Sequence, residues 1–179
     1  MTTPGTLAHR VDYRRLALQE RGVEGRIAVA ALPRVAAEMA RPPEPDDEVV
    51  VELGFDEDGQ RRVHAAGTIR TTLALRCQRC LQVYDEPMDV AVCGIVVGDD
   101  EAAANVPRAD EPILADGDML DVPALVSDEL LLALPSVARC RRPECMARYA
   151  PEPASERAEQ RARRQDNPFA VLSQLKRDE

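Results

Sequence analysis

The chain has 179 residues, of which 45% are hydrophobic and 31% charged, and it carries a net charge of −9. That length suits one domain with appendages, and nowhere does the sequence approach the ~18 consecutive apolar residues of a membrane-spanning helix. The acidity argues against indiscriminate nucleic-acid binding through bulk charge.

The charge is unevenly spread. From Arg139 to Glu179 there are ten basic and seven acidic residues, a local +3 that leaves −12 on the first 138. Nearly every basic side chain is arginine; Lys176 is the single lysine. Arginine bonds phosphate bidentately and stacks on bases. Aromatic residues are few, with no Trp, three Tyr and two Phe, fewer than a base-stacking surface wants. Residues 1–10 have no apolar stretch of signal-peptide type, so a cytoplasmic location is expected. In that reducing setting the five cysteines are expected to be free, metal-bound or reactive thiols rather than disulfides.

In chain order, residues 9–21 read as a short helix stopped by Gly22. Residues 23–30 read as a strand, and 32–40 as a second helix with Pro33 in its first turn. Residues 41–47, rich in Pro and Asp, form a loop. Val49, Val51, Leu53 and Phe55 alternate and so share one face of a strand, and Asp56–Gly59 makes a hairpin-like turn. Alternation resumes from Arg62 to Cys77, with Ile69, Thr71, Leu73, Leu75 and Cys77 on one side. The turn at Cys77–Cys80 sends the chain back through residues 82–97, where Tyr84, Met88, Val90 and Val92 share a face. These three strands form an antiparallel meander, in which Pro87 marks an edge or a bulge. Residues 98–117 read as a long loop with a short strand at 112–115.

The strongest helix signal spans residues 118–134. Asp121 is a good N-cap and Pro123 sits in the first turn. Val122, Leu125, Val126, Glu129, Leu130 and Ala133 face broadly one way. Leu131, Leu132 and Leu134 widen that stripe, which implies burial of the helix end on several sides. Pro135 stops it. The fold class expected is α+β: an antiparallel meander covered by helices, with a flexible C-terminal tail ending in a short helix. Residues 1–148 form the single domain, 149–166 a charged linker and 167–179 a short docking helix and tail. Asn167 and Pro168 suit N-cap and N1, and Phe169, Leu172 and Leu175 form a small apolar face. Eight residues of helix are not stable alone, so this segment must dock on its own domain or on a partner.

The chemistry concentrates in cysteine. Cys77 and Cys80 form a C-x2-C pair, and after 59 intervening residues Cys140 and Cys145 form a C-x4-C pair. Two close pairs fit a structural zinc site with four ligands. A reversible dithiol, and cysteines in turns with no ligand, stay open beside it. A thioredoxin-type centre needs the motif opening a helix in a βαβ unit, whereas here it lies between two strand patterns. Cys93 reads as a small buried hydrophobe inside a strand, and His64 as a surface residue of a strand. Arg76, Arg79, Arg139, Arg141 and Arg142 crowd the thiol pairs. If the pairs meet, these arginines converge as a local basic patch able to bind RNA phosphates; ion pairing with Asp85, Glu86 and Glu144 is the alternative. No nucleophile elbow, P-loop, zinc-protease helix or dinucleotide fingerprint occurs, and the carboxylates of the long helix suit capping and solvation, so no enzyme is expected.

Three stretches in order, Leu75–Leu81, Asp121–Pro135 followed by Cys145, and Asn167–Arg177, resemble the bacterial YceD family of large ribosomal RNA subunit accumulation proteins. The resemblance implies a ribosome biogenesis factor acting in 23S rRNA synthesis, processing or stability. It further implies that 23S rRNA or a large-subunit precursor is the partner, with metal-binding and RNA-binding character. Cys77, Cys80 and Cys145 match the family pattern, and Cys140 stands where some members carry His, a swap that zinc tolerates. On this reading Zn²⁺ is held by Cys77, Cys80, Cys140 and Cys145; Arg76, Arg79, Arg139, Arg141 and Arg142 meet the RNA; and Phe169, Leu172 and Leu175 anchor a protein partner. An acidic protein–protein adaptor without RNA contact is the alternative, and a dithiol redox protein the third.

Overall fold

The computed structural model describes residues 7–148. The charged linker 149–166 and the expected docking helix with Phe169, Leu172 and Leu175 lie outside the described residues. The chain divides into a first unit ending at Cys140 and a second beginning at Arg141. Within the second, the described element is one short helix, Pro143–Arg148, labelled α5 below.

The first unit is α+β. Strands β2 (Gly22–Ala28), β3 (Glu48–Glu57), β4 (Val63–Arg76) and β5 (Val83–Val97) form an antiparallel sequence of neighbours. Two local pieces precede them: β1 (Arg10–Asp12) and helix α1 (Tyr13–Leu18). Between β2 and β3 lie a short 3-10 turn, Val29–Ala31, and helix α2 (Pro33–Ala36). After β5 come α3 (Asp100–Ala104), β6 (Pro112–Leu114), β7 (Met119–Asp121) and α4 (Val122–Ala133). Strand β6 joins the sheet parallel to β5, and β7 pairs with β1 in a separate two-stranded ribbon.

Alternation decides which face of the sheet is dry. Val49, Val51, Leu53 and Phe55 of β3 are buried together with Ile69, Leu73 and Leu75 of β4 and Met88 and Val92 of β5. Helix α4 covers this face with Val122, Val126 and Leu130, all fully buried, and α1 adds Tyr13 and Ala17. Strands β3 and β4 run close together at Gly67: a Cβ there would stand 1.9 Å from the carbonyl oxygen of Glu52, so only glycine fits. Pro87 pairs with Thr72 where, among the described residues, β5 has a neighbour on one side only, because β6 reaches just Ile95–Val97. A residue without an N–H costs nothing at that free edge.

Several expectations are corrected here. The helix expected over 9–21 is confined to Tyr13–Leu18, because Arg10–Asp12 pairs with Met119–Asp121 and Asp12 becomes the N-cap, accepting from Arg15 N. The helix expected over 32–40 is a single turn. The stretch read as a loop holds α3, capped by the Asp99 carboxylate on Ala102 N. Asp121 is the N-cap of α4, accepting from Ala124 N at 2.9 Å. The end of α4 is not buried on several sides, since Leu132 is 74% exposed. Cys93 is exposed rather than buried: the inward face of β5 at that point belongs to Val92, and its neighbour in sequence points the other way.

The β3–β4 turn is organised by one carboxylate. Asp58 accepts from the backbone N–H of Arg62 at 3.0 Å and of Gln60 at 2.8 Å, from Arg62 Nε at 2.7 Å, and meets His64 Nε2 at 3.1 Å. The Arg62 N–H, then the His64 and Arg62 side chains and the Gln60 N–H, hold the Asp58 carboxyl well below the ordinary carboxylate range. A group held down in this way stabilises the fold in full above its unfolded pKa of ~3.9. That contribution is lost as pH falls toward the folded value. Asp58→Asn is therefore expected to unfold at lower urea than the parent at pH 7. The gap should narrow below about pH 4, where the parent's advantage is titrated away; urea midpoints at pH 7 and pH 3 check this.

Candidate metal centre and its arginines

The site begins where the β4–β5 ribbon ends. Strand β4 stops at Arg76 and β5 starts at Val83, so residues 77–82 form the connecting turn. Two backbone bonds close it: Cys77 N to Gln82 O at 3.0 Å and Leu81 N to Cys77 O at 2.9 Å. The turn needs a left-handed residue, and Leu81 takes that role with φ +62. This conformation is uncommon for a residue with a Cβ, and the sequence has no Gly there to announce it.

The parity of β4 turns Cys77 inward, where it is fully buried. Its sulfur is then surrounded by donors. The N–H of Cys80 holds the thiol down most strongly; those of Cys140 and Arg79, each 3.4 Å from Sγ, add to it. Burial opposes them, and the outcome is a pKa lowered to about 5. Backbone N–H groups aimed at sulfur favour the thiolate, which is the form that binds metal.

The segment after α4 is delivered to this turn. Pro135 ends the helix, and the chain then runs past the turn with Gln78 N bonded to Ala138 O at 2.8 Å. Cys140 follows, its N–H on Cys77 Sγ and its own sulfur 3.8 Å from that of Cys80. The Sγ atoms of Cys77, Cys80, Cys140 and Cys145 all lie within 4.8 Å of one another, close enough to share a metal ion. Four sulfurs at ~2.3 Å from a tetrahedral zinc stand ~3.8 Å apart, so the donor set and its spacing fit that ion. Cys145 is the buried residue of α5.

The five arginines have different surroundings. Arg79 reaches inward, and its Nη2 donates to the carbonyl of Cys140 at 2.7 Å while its buried Nε has no partner among the described residues. It thus ties the turn to the incoming segment. Arg76 is exposed and donates one Nη1 bond to Leu81 O at 3.0 Å. Arg139 is exposed, as is Arg141 at the start of the second unit, while Arg142 is half-buried. The structural use of Arg79 was not readable from the sequence, since its acceptor is a backbone carbonyl 61 residues away.

A scan against family models matches residues 65–176 to the family described as large ribosomal RNA subunit accumulation protein YceD. The chain belongs to the YceD family. One curated relative, the large ribosomal RNA subunit accumulation protein YceD of Haemophilus influenzae, is 32% identical over 127 residues, 70% of this chain and 72% of the relative. No solved structure matches. The YceD match takes in Cys77, Cys80, Cys140 and Cys145 and the whole of α4.

Removing the Arg79 guanidinium takes away the bond that it donates to the Cys140 carbonyl. Arg79→Ala is expected to cost about 1.5–3 kcal/mol, the range for a hydrogen bond to a charged group. Arg79→Lys should recover part of it as a point charge without the fork. Urea unfolding of the metal-free chain measures both.

Proposed function

We propose that this chain acts in the accumulation of large-subunit ribosomal RNA as a binding factor and not as an enzyme. Its membership of the family that bears this description carries the reading. No helix among the described residues is long and apolar enough to cross a membrane, and the reading places the chain in the cytoplasm on a precursor of the large subunit. In this proposal Cys77, Cys80, Cys140 and Cys145 hold one Zn²⁺. The ion supplies no reaction; when bound it fixes the turn 77–82 against the segment that follows α4. The spacing of the four sulfurs supports this, as does the nest of N–H donors around Cys77.

The rigid platform then presents Arg76, Arg139, Arg141 and Arg142 to 23S rRNA. Arg79 assists from within as a strut. Arginine forks contact phosphate without reading sequence, so specificity in this reading comes from the placement of the patch. The acidity elsewhere works in the same direction, since phosphate is repelled from most of the surface and accepted only where arginine is dense.

Two measurements test the two halves. Elemental analysis of protein purified without chelator is expected to give ~1 zinc per chain, as a closed four-ligand site requires. A value under ~0.2, with the four thiols reacting rapidly, would remove the clasp. Ultraviolet crosslinking in cells is expected to recover 23S sequence with the parent and several-fold less with the triple variant Arg76→Glu, Arg139→Glu, Arg141→Glu. Recovery of no 23S sequence with the parent would refute direct RNA contact.

A further inference from the structure

The first unit carries a second surface that the RNA reading leaves unused. A cleft of about 700 Å³ lies between strand β6 and helix α4, within the range of binding clefts, ~300–1,000 Å³. All of its lining belongs to the first unit. Its apolar part is open to water: Leu114 is 55% and Leu132 74% exposed, and Leu131 is half-buried. Carboxylates ring it. Glu111 and Asp116 flank β6, and Asp121, Asp128 and Glu129 come from the helix and its cap. Two are already neutralised, Asp116 by Arg10 and Asp128 by Arg34. Glu111, Asp121 and Glu129 have no ion pair among the described residues.

The cleft sets three conditions on an occupant. Its rim repels phosphate and attracts cations. Burial, then the charges of Glu111 and Asp128, raise the pKa of Glu129, and a cation placed there would relieve the crowding of like charge. Its exposed leucines favour apolar side chains. Its strand asks for a backbone. Strand β6 is last in the sheet, with no further strand beside it among the described residues. The residues flanking it, Glu111 and Ala115, bond to β5, so alternation turns the N–H and C=O of Leu114 to the open side. Such edge groups pair with another chain. A polyamine meets only the first condition, whereas a polypeptide can meet all three. A second copy of this chain, at a net charge of −9, would bring like charge to the rim.

We propose that the α4–β6 cleft binds a protein partner through a short segment in which apolar residues are flanked by lysine or arginine. The segment lies along β6 and bonds to the Leu114 backbone, as peptides do when they add to a sheet edge. Its apolar residues sit against Leu114, Leu131 and Leu132, and its cations meet Glu111, Asp121 and Glu129. The apolar contact supplies affinity, while the charges fix orientation and speed encounter. Neither the thiols nor the arginines beside them take part, so this contact stands or falls apart from zinc and RNA.

The test expresses the full chain in its native cells with the photocrosslinking residue p-benzoylphenylalanine in place of Leu132, and mass spectrometry reads the crosslinked peptide after irradiation. Attachment is expected on a segment of another protein that carries net positive charge and apolar residues around the point of contact. The same label in place of Leu18, 73% exposed and outside the cleft, should miss that segment. Glu111→Lys, at an exposed position, is expected to lower the yield at least fivefold with an unchanged circular dichroism spectrum, and Glu129→Gln should act in the same direction. The captured segment, made as a synthetic peptide, should bind the purified full chain several-fold more weakly at 500 mM than at 50 mM salt, as screening of the rim predicts. Replacing its lysines and arginines with glutamine should weaken binding at least tenfold. Crosslinks to RNA, to a second copy or to this chain's own residues would overturn the proposal. So would attachment to neutral or acidic segments, no crosslink at all, or a yield indifferent to Glu111→Lys.

Discussion

The register of β4 is the constraint on which the rest depends. Its pairing with β5 runs from Val63 against Val96 to Arg76 against Val83 without interruption. Odd-numbered side chains from Ile69 to Cys77 point to the dry face, and those of Ile69, Leu73 and Leu75 build the core beneath α4. A slip of one residue would turn all of them outward. It would also turn Cys77 away from the N–H groups of Cys80, Cys140 and Arg79. Core and site are therefore specified by the same alternation, and the thiolate cannot be placed without placing the hydrophobic face as well.

Around that sulfur the molecule uses backbone rather than side-chain chemistry. Gln78 N on Ala138 O, Cys140 N on Cys77 Sγ and the Arg79 guanidinium on Cys140 O join two segments sixty residues apart in sequence. Each bond is worth little on its own, on the order of 1 kcal/mol net. Together they bring the sulfurs within reach of one ion. Arginine divides its labour here. Arg79 is committed to the joint, while Arg76 and Arg139 stand at the surface. The composition had shown only that arginine was dense near the thiols.

The opposite sign is gathered on the α4–β6 side. The helix that buries Val122, Val126 and Leu130 shows water Asp128 and Leu132, with its N-cap Asp121 on the same side. A helix with apolar residues on more than one side need not be buried all round. It can serve the core with one face and leave another to solvent, and the exposure of Leu132 is what distinguishes the two cases.

Much of the fold was legible in the sequence because alternation and capping are local. The long strands β3, β4 and β5, the Asp121 cap and the stop at Pro135 follow from neighbours in the chain. Cys93, expected as a buried hydrophobe, is exposed, although the parity of Val90 and Val92 already turns it outward. Strands β1, β6 and β7 were not legible, or only in part. Each has three residues, too few to show a period, and each exists through pairing with a distant partner, as Val11 does with Leu120. By itself the sequence determined an α+β chain with an antiparallel meander, two cysteine pairs and a family likeness. Tertiary structure alone decided that four sulfurs meet, that Arg79 joins rather than faces solvent, and that an acidic cleft opens beside α4. The reason is physical: spacing along a chain governs periodicity and turns, whereas convergence of groups far apart in sequence is set by how sheet and helix pack.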